Sequence, residues 1–199
     1  GQGRALESAV RSAPQFMTRP LTRREWLWAG GFGLAALTRP RLAQAQTPPA
    51  DPGWPIFRGD AALRGVGTSR LPSSPKLLWS FEAESEPTSP VVASGRAFFA
   101  TRDGDLVALD LSTGKRIWAS KVEAGFEAAP ACADGLVLIP DLGGAIHAHA
   151  PADGKKVWSR QTEGEAEIKA SVAVDSGVAL VGAYDGTLHA LNLIDGARR

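Results

Sequence analysis

Three histidines are the side chains of this sequence best suited to proton or metal chemistry near neutral pH. Two of them, His147 and His149, stand two residues apart in an apolar run. On a β-strand that spacing puts both imidazoles on one face, where a pair could begin a metal site. No Asp, Glu or Cys stands at the matching spacing, so the pair reads as packing, and His189 recurs as the positional equivalent of His147. Two acidic runs, Glu82-Ala83-Glu84-Ser85-Glu86 and Glu163-Gly164-Glu165-Ala166-Glu167, offer carboxylates for calcium. Calcium needs roughly six to eight converging oxygens, and these runs read instead as solvated loop faces. The single cysteine, Cys132, allows no disulfide within the chain and reads as a small buried strand residue. There is no Gly-x-Ser-x-Gly elbow, phosphate loop, dinucleotide fingerprint, Cys-Cys pair or Cys-x-x-Cys-His motif. The sequence therefore predicts no catalytic, cofactor-binding or metal-ligating residue.

The elements that position these residues follow from a repeat of about forty residues. Gly95, Gly135 and Gly177 align, as do Gly104, Gly144 and Gly186, and Gly114, Gly154 and Gly196. Each copy thus carries three turn signals, such as Ser94-Gly95, Asp103-Gly104 and Thr113-Gly114 in the first. Gly supplies the backbone angles that tight hairpins need, and Asp or Ser before it tolerates the turn. Between the turns lie short apolar runs: Val91–Ala93, Arg96–Thr101, Leu106–Leu111 and Arg116–Ser120, then Ala131–Ala133, Leu136–Pro140, Ala145–Ala150 and Lys156–Arg160. These are strand lengths, too short for helices. Four strands and three hairpins per copy predict a β-meander, one blade of a propeller. Trp118 and Trp158 close the first two copies, where a large aromatic can wedge between stacked sheets. Trp79 falls in register as a lone last strand, which either closes a final blade or ends a divergent first one.

The pattern Ala108-x-Asp110-x-x-Thr113-Gly114-x-x-x-Trp118 resembles the tryptophan-docking repeat of the pyrroloquinoline-quinone-like β-propeller superfamily. Ala148, Gly154 and Trp158 continue it in the second copy and Ala190 and Gly196 in the third. Ala150 and Asp153 depart from it, where that family prefers Asp and Thr. Gly53-Trp54-Pro55-Ile56-Phe57-Arg58-Gly59-Asp60 is similar to the opening of exported members, so the resemblance covers residues 53–199. It implies an all-β fold, a propeller of seven or eight four-stranded antiparallel blades. This sequence has room for two to three of them and is expected to be a piece of a longer protein. The expected organisation is an extension and signal peptide over 1–45, a Pro-rich linker and N-terminal segment over 46–75, and repeats over 89–128, 129–170 and 171–199 within 76–199. The superfamily includes quinoprotein dehydrogenases, an outer-membrane assembly lipoprotein and members with no assigned activity. The resemblance implies that a dehydrogenase would show adjacent cysteines beneath the quinone and Glu, Asn and Asp ligands for calcium. No cofactor is evident in this stretch. Pyrroloquinoline quinone and calcium enter only under the alternative that it is the N-terminal part of such an enzyme. The first expectation is a non-enzymatic binding or scaffolding platform for an envelope protein or glycan.

Charge and address support an exported protein. Seven of the 22 Lys/Arg but only two of the 21 acids lie in residues 1–45, leaving 15 basic against 19 acidic residues, net −4, over 46–199. That mildly acidic balance argues against nucleic acid as a partner. Thr22-Arg23-Arg24-Glu25-Trp26-Leu27-Trp28 matches a twin-arginine export signal. The apolar stretch from Trp26 to Leu37 is too short and Gly-rich for a stable membrane span. Ala43-Gln44-Ala45 then supplies a small-x-small cleavage signal. The expectation is passage through the twin-arginine translocase to the periplasm or beyond, with the mature chain starting near Gln46 and Met17 as the candidate start. No cysteine lies near the cleavage point to carry a lipid, which disfavours the outer-membrane assembly lipoprotein among the members of the superfamily.

Overall fold

The computed structural model describes residues 53–67 and 69–199. Arg23, Arg24, Ala43, Ala45 and Met17 therefore lie outside the described residues. The described residues form eleven strands and no helix. The first sheet holds β1 (Val91–Ala93), β2 (Arg96–Ala100), β3 (Asp105–Asp110) and β4 (Arg116–Lys121), in that order and all antiparallel. The second repeats it with β5 (Ala131–Ala133), β6 (Leu136–Pro140), β7 (Ala145–His149) and β8 (Lys156–Gln161). The third has β9 (Ala173–Asp175), β10 (Val178–Gly182) and β11 (Leu188–Asn192), and Arg198 bridges back to Leu191 beside it. Each strand of the two complete sheets lies within a residue or so of the run the sequence predicts.

Local chemistry fixes the meander. Both central residues of the first hairpin in each sheet have positive φ: Ser94 and Gly95 at 50° and 72°, Asp134 and Gly135 at 46° and 76°, Ser176 and Gly177 at 48° and 75°. That is the two-residue turn whose twist matches the flanking strands. The β3–β4 and β7–β8 ladders slip at the same place, between Ala108 and Leu109 and between Ala148 and His149, a bulge that sharpens the local twist.

The sheets fan out from an axis. β1 touches β5 and β5 touches β9, whereas β4 and β8, at the far side of each sheet, do not meet. Alternation along each strand gives a front and a rear face. Phe98, Leu106, Ala108 and Trp118 on the rear of the first blade pack with Val137 and Ile139 on the front of the second. Leu138, Ile146 and Ala148 on the rear of the second pack with Ala179, Val181 and Leu191 on the front of the third. Trp79, Phe81 and Ala83, two apart in sequence, lie over Ala97, Phe99, Val107 and Leu109 on the front of the first blade. The segment carrying them forms no strand of any sheet.

One kind of contact, made three times, docks an indole on a blade, first from the segment before β1 and then twice from blade to blade. Trp79 lies on Gly114, Trp118 on Gly154 and Trp158 on Gly196. A Cβ built on those glycines would stand 2.6, 2.6 and 2.7 Å from the indole. Each indole N–H donates to the carbonyl three residues before its glycine: Trp79 to Leu111 at 2.9 Å, Trp118 to Pro151 at 2.9 Å and Trp158 to Leu193 at 3.1 Å. The turns that receive the indoles share one backbone pattern, Gly114 N–H to Asp110 O, Gly154 N–H to Ala150 O and Gly196 N–H to Asn192 O. Asp110 adds side-chain bonds from the N–H and hydroxyl of both Ser112 and Thr113. These bonds, led by the Ser112 and Thr113 hydroxyls, push its carboxyl down to about 2. Ala150 has no such side chain, yet its turn keeps the same main-chain bonds.

Candidate functional site

Residues 53–65 cross the inner ends of the first two blades. Trp54 exchanges both main-chain bonds with Val92 at 2.8 Å, and Cys132 N–H donates to Pro55 O at 2.7 Å. Ile56 enters the core between the second and third blades. The chain then reverses through Arg58 and Gly59, both at positive φ, with the Trp54 ring flat against Gly59. The Asp60–Arg64 ion pair, 2.8 Å, closes the turn.

This segment and the loops entering β5 and β9 enclose a pocket of about 380 Å³. Its walls are mostly apolar, from Ile56, Phe57, Leu63, Ala128 and Val172, with Ser89, Ser171, Glu127 and Lys169 also lining it. The Ser171 hydroxyl accepts from Ala129 N–H at 3.2 Å. A line of paired charges runs past it across the blades. Arg102 reaches Glu86 at 3.8 Å and Glu127 at 3.2 Å, and Lys169 reaches Glu127 at 3.6 Å and Glu167 at 3.0 Å. Lys169 also stands 5.2 Å from the centre of the Tyr184 ring. Hydrogen bonding to Glu167, then the charge of Glu127, raises the Lys169 pKa. Exposed pairs of this kind add little stability. Their consequence is a rim of alternating sign around an apolar recess. Glu163, of the second acidic run, pairs with Arg198.

The histidines sit elsewhere, inside the inter-blade spaces. Strand spacing brings no acid to them, but a turn does. Asp141, on the turn after β6, places Oδ2 2.7 Å from His147 Nε2, and Ser159 Oγ on β8 lies 3.0 Å from His147 Nδ1. Hairpin geometry brings together residues six and twelve apart that no strand periodicity relates. Burial raises the Asp141 carboxyl, but the bonds from His147 and from Ala145 N–H outweigh it and hold the group below the ordinary carboxylate range. With Nε2 donating to that carboxylate, Nδ1 accepts the Ser159 proton. His147 is 6% exposed, with the Phe126 ring edge-on at 6.4 Å, so the relay satisfies polar groups where two blades meet. His149 donates Nδ1–H to Gly154 O at 2.9 Å, and its buried Nε2 has no partner. His189 Nε2 is likewise buried without a hydrogen bond, 3.8 Å from Asp185. Cys132, expected to be buried, is half-buried in β5, and desolvation pushes its thiol up to about 12.

The chain has one cysteine, and among the described residues no three His, Cys, Asp or Glu side chains gather as a metal centre. The site residues that the sequence singled out, Trp79, Ala108, Asp110, Thr113, Gly114, Trp118, Ala148, Gly154, Trp158, Ala190 and Gly196, all lie at or beside the docking contacts and the strands that carry them. None lines the pocket. The pocket was missed because it depends on where residues 53–65 return, and that segment has no periodic signal.

Sheets of antiparallel strands, joined by an indole on a glycine and fanned about an axis, define a β-propeller assembled from tryptophan-docked blades. Comparison with known proteins agrees. The family profile described as "Outer membrane protein assembly factor BamB" matches residues 71–199, and the chain belongs to this family of pyrroloquinoline-quinone-like propellers. It is 30% identical over 124 residues to the outer membrane protein assembly factor BamB of Nitrosomonas eutropha, covering 61% of this chain and 30% of that protein. It is 33% identical over 108 residues to the quinoprotein alcohol dehydrogenase PedH of Pseudomonas putida, covering 44% and 18%. The crystal structure of the quinohemoprotein alcohol dehydrogenase of Comamonas testosteroni superposes with a TM-score of 0.64 at 25% identity, over 74% of this chain and 26% of that one. The chain thus spans less than a third of each of these relatives.

Proposed function

We propose that this chain belongs to an exported propeller that serves as a binding and scaffolding platform in the cell envelope. Its ligand would be an envelope protein or glycan held over the pocket between residues 56–63 and the blade-entry loops. The observation that carries this reading is the pocket itself: an apolar recess, rimmed by paired charges of both signs, on three sheets locked to each other by two indole contacts. Recesses of this kind, apolar with a few placed polar groups, are the usual form of a binding site. Similarity to a relative named for outer-membrane protein assembly supports a scaffolding role over a catalytic one. Similarity to a quinoprotein dehydrogenase keeps the enzyme as the reading to be tested against it.

A photo-crosslinking residue placed at Phe57 on the pocket wall should yield a discrete adduct in intact cells, and one at Lys115 should not. Equal labelling at both would remove the case for the pocket. Dye reduction with alcohols or aldoses, on adding pyrroloquinoline quinone and calcium to the full-length protein, would replace the platform by the enzyme. Export is proposed to use the twin-arginine route. Replacing both Arg23 and Arg24 by Lys should hold the protein in the cytoplasm, as read by fractionation. Undiminished periplasmic yield would discard that route.

A further inference from the structure

The inner edges of the three blades are equivalent, and the described residues occupy only two of them. In a two-residue hairpin the residues flanking the turn exchange both main-chain bonds, and the next pair does not. Val92, Cys132 and Val174 are each the middle residue of a first strand, opposite Ala97, Val137 and Ala179. Their N–H and C=O groups therefore point away from the sheet, toward the axis. Trp54 takes both groups of Val92, and Pro55 takes the N–H of Cys132. Among the described residues none bonds to Val174. The pocket opens beside this free edge, with Ile56 and Phe57, where the docked segment leaves, on one side and Val172 and Ala173, which lead into Val174, on the other.

The geometry points to the inner edge of β9 as a docking site for an extended, apolar peptide segment of a partner protein. The peptide pairs antiparallel with Val174 as Trp54 pairs with Val92, and it seats one apolar side chain between Ile56 and Val172. This deepens the platform reading and rests on it. The occupant's chemistry comes from the chain itself, because Trp54-Pro55-Ile56 is an apolar segment already held on the two neighbouring edges, by an antiparallel bridge of Trp54 to Val92 and by the Cys132 N–H bond to Pro55. The pocket sets the same requirement. Its two charged residues are already paired, Glu127 with Arg102 and Lys169, and Lys169 with Glu167 as well, so an uncharged side chain suits it. Edge pairing supplies affinity through the main chain, while the pocket selects the side chain.

The test uses the whole chain and a fluorescein-labelled, end-blocked peptide Gly-Trp-Pro-Ile-Phe-Arg, the sequence of residues 53–58. Anisotropy should show saturable binding, and hydrogen exchange should show the Val174 amide protected at least about tenfold by the peptide. Val174→Pro removes the N–H that points to the axis and should weaken binding at least about tenfold, the loss of one main-chain bond and its geometry. Ala170→Trp, on an exposed loop residue lining the pocket, should fill it and abolish binding. It carries the test should Val174→Pro fail to fold. No saturable binding, or binding indifferent to Ala170→Trp, overturns the proposal. Concentration-dependent dimers in sedimentation that Ala170→Trp abolishes would also overturn it, making the occupant a second copy. Adducts at Phe57 without peptide binding would sink this inference and leave the platform standing. Failure of both would sink both.

Discussion

Glycines at corresponding places in the repeat do two different jobs. Gly114, Gly154 and Gly196 lie under an indole, with positive φ and a Cβ-to-ring distance below 2.8 Å. Gly95, Gly135 and Gly177 have positive φ but open space where a Cβ would go. Gly135→Ala should therefore cost only the left-handed backbone penalty, about 1–2 kcal/mol. Gly154→Ala adds displacement of the Trp118 ring, an overpacking cost of about 1–3 kcal/mol more. Trp118→Ala should cost about 3–5 kcal/mol, as for a large aromatic removed from a core. Urea melts of the three variants should give that order. The double variant Trp118→Ala/Gly154→Ala should cost less than the sum of its parts, because removing the ring removes the clash. Additive losses would mean that the indole and the glycine are not in the contact described.

Within the second blade, β7 carries the polar groups that make the first inter-blade space sensitive to acid. Burial lowers the His149 pKa below 6.5, and the neighbouring His147 and Lys156 charges act in the same direction, against the bond to Gly154. The unfolded chain binds its proton near 6.5 and the folded chain does not, so the stabilisation is complete above that pH and falls as pH drops below it. Asp141, held below 3.8, adds a second loss at lower pH, as the carboxylate that the relay needs becomes protonated. The aligned residues Leu109 and Leu191 are buried in the same slot of the other blades. His149→Leu should thus fold with stability within about 1 kcal/mol of the parent at pH 7.5, since it removes one bond and one unsatisfied nitrogen together. It should also flatten the fall in stability between pH 6.5 and 5.5. Urea titrations at those pH values decide it, and an unchanged slope would assign the acid sensitivity to another group. The strands that hold these residues were readable from sequence because Gly-bounded turns are local. The Asp141–His147–Ser159 relay was not, because its members occupy a turn and two strands. Their counterparts in the first blade, Thr101, Val107 and Ala119, offer no similar chemistry to compare.

Across the molecule, each blade depends on its neighbours for a covered face. The periodic indoles made that architecture legible in advance, whereas the crossing of the inner edges by Trp54–Ile56 was not, because a single copy has no register to betray it. The faces are covered unequally. β6 and β7 are buried along nearly their whole length, between the first and third blades. β10 and β11 bury only alternate residues, and Leu188, the counterpart of the fully buried Ile146, is 70% exposed. In a linear array, local opening is least costly where a unit has one stacked neighbour and most costly where it has two. Native-state hydrogen exchange of the 199-residue chain should therefore show the ladder amides of β10 and β11 opening at least about tenfold faster than those of β6 and β7, a difference of about 1.4 kcal/mol. Trp158→Ala should widen the gap, because the indole on Gly196 ties the third blade to the second. Uniform protection across all three sheets, unaltered by that substitution, would mean that the blades open as one cooperative body and that docking on one face is not what holds the third in place.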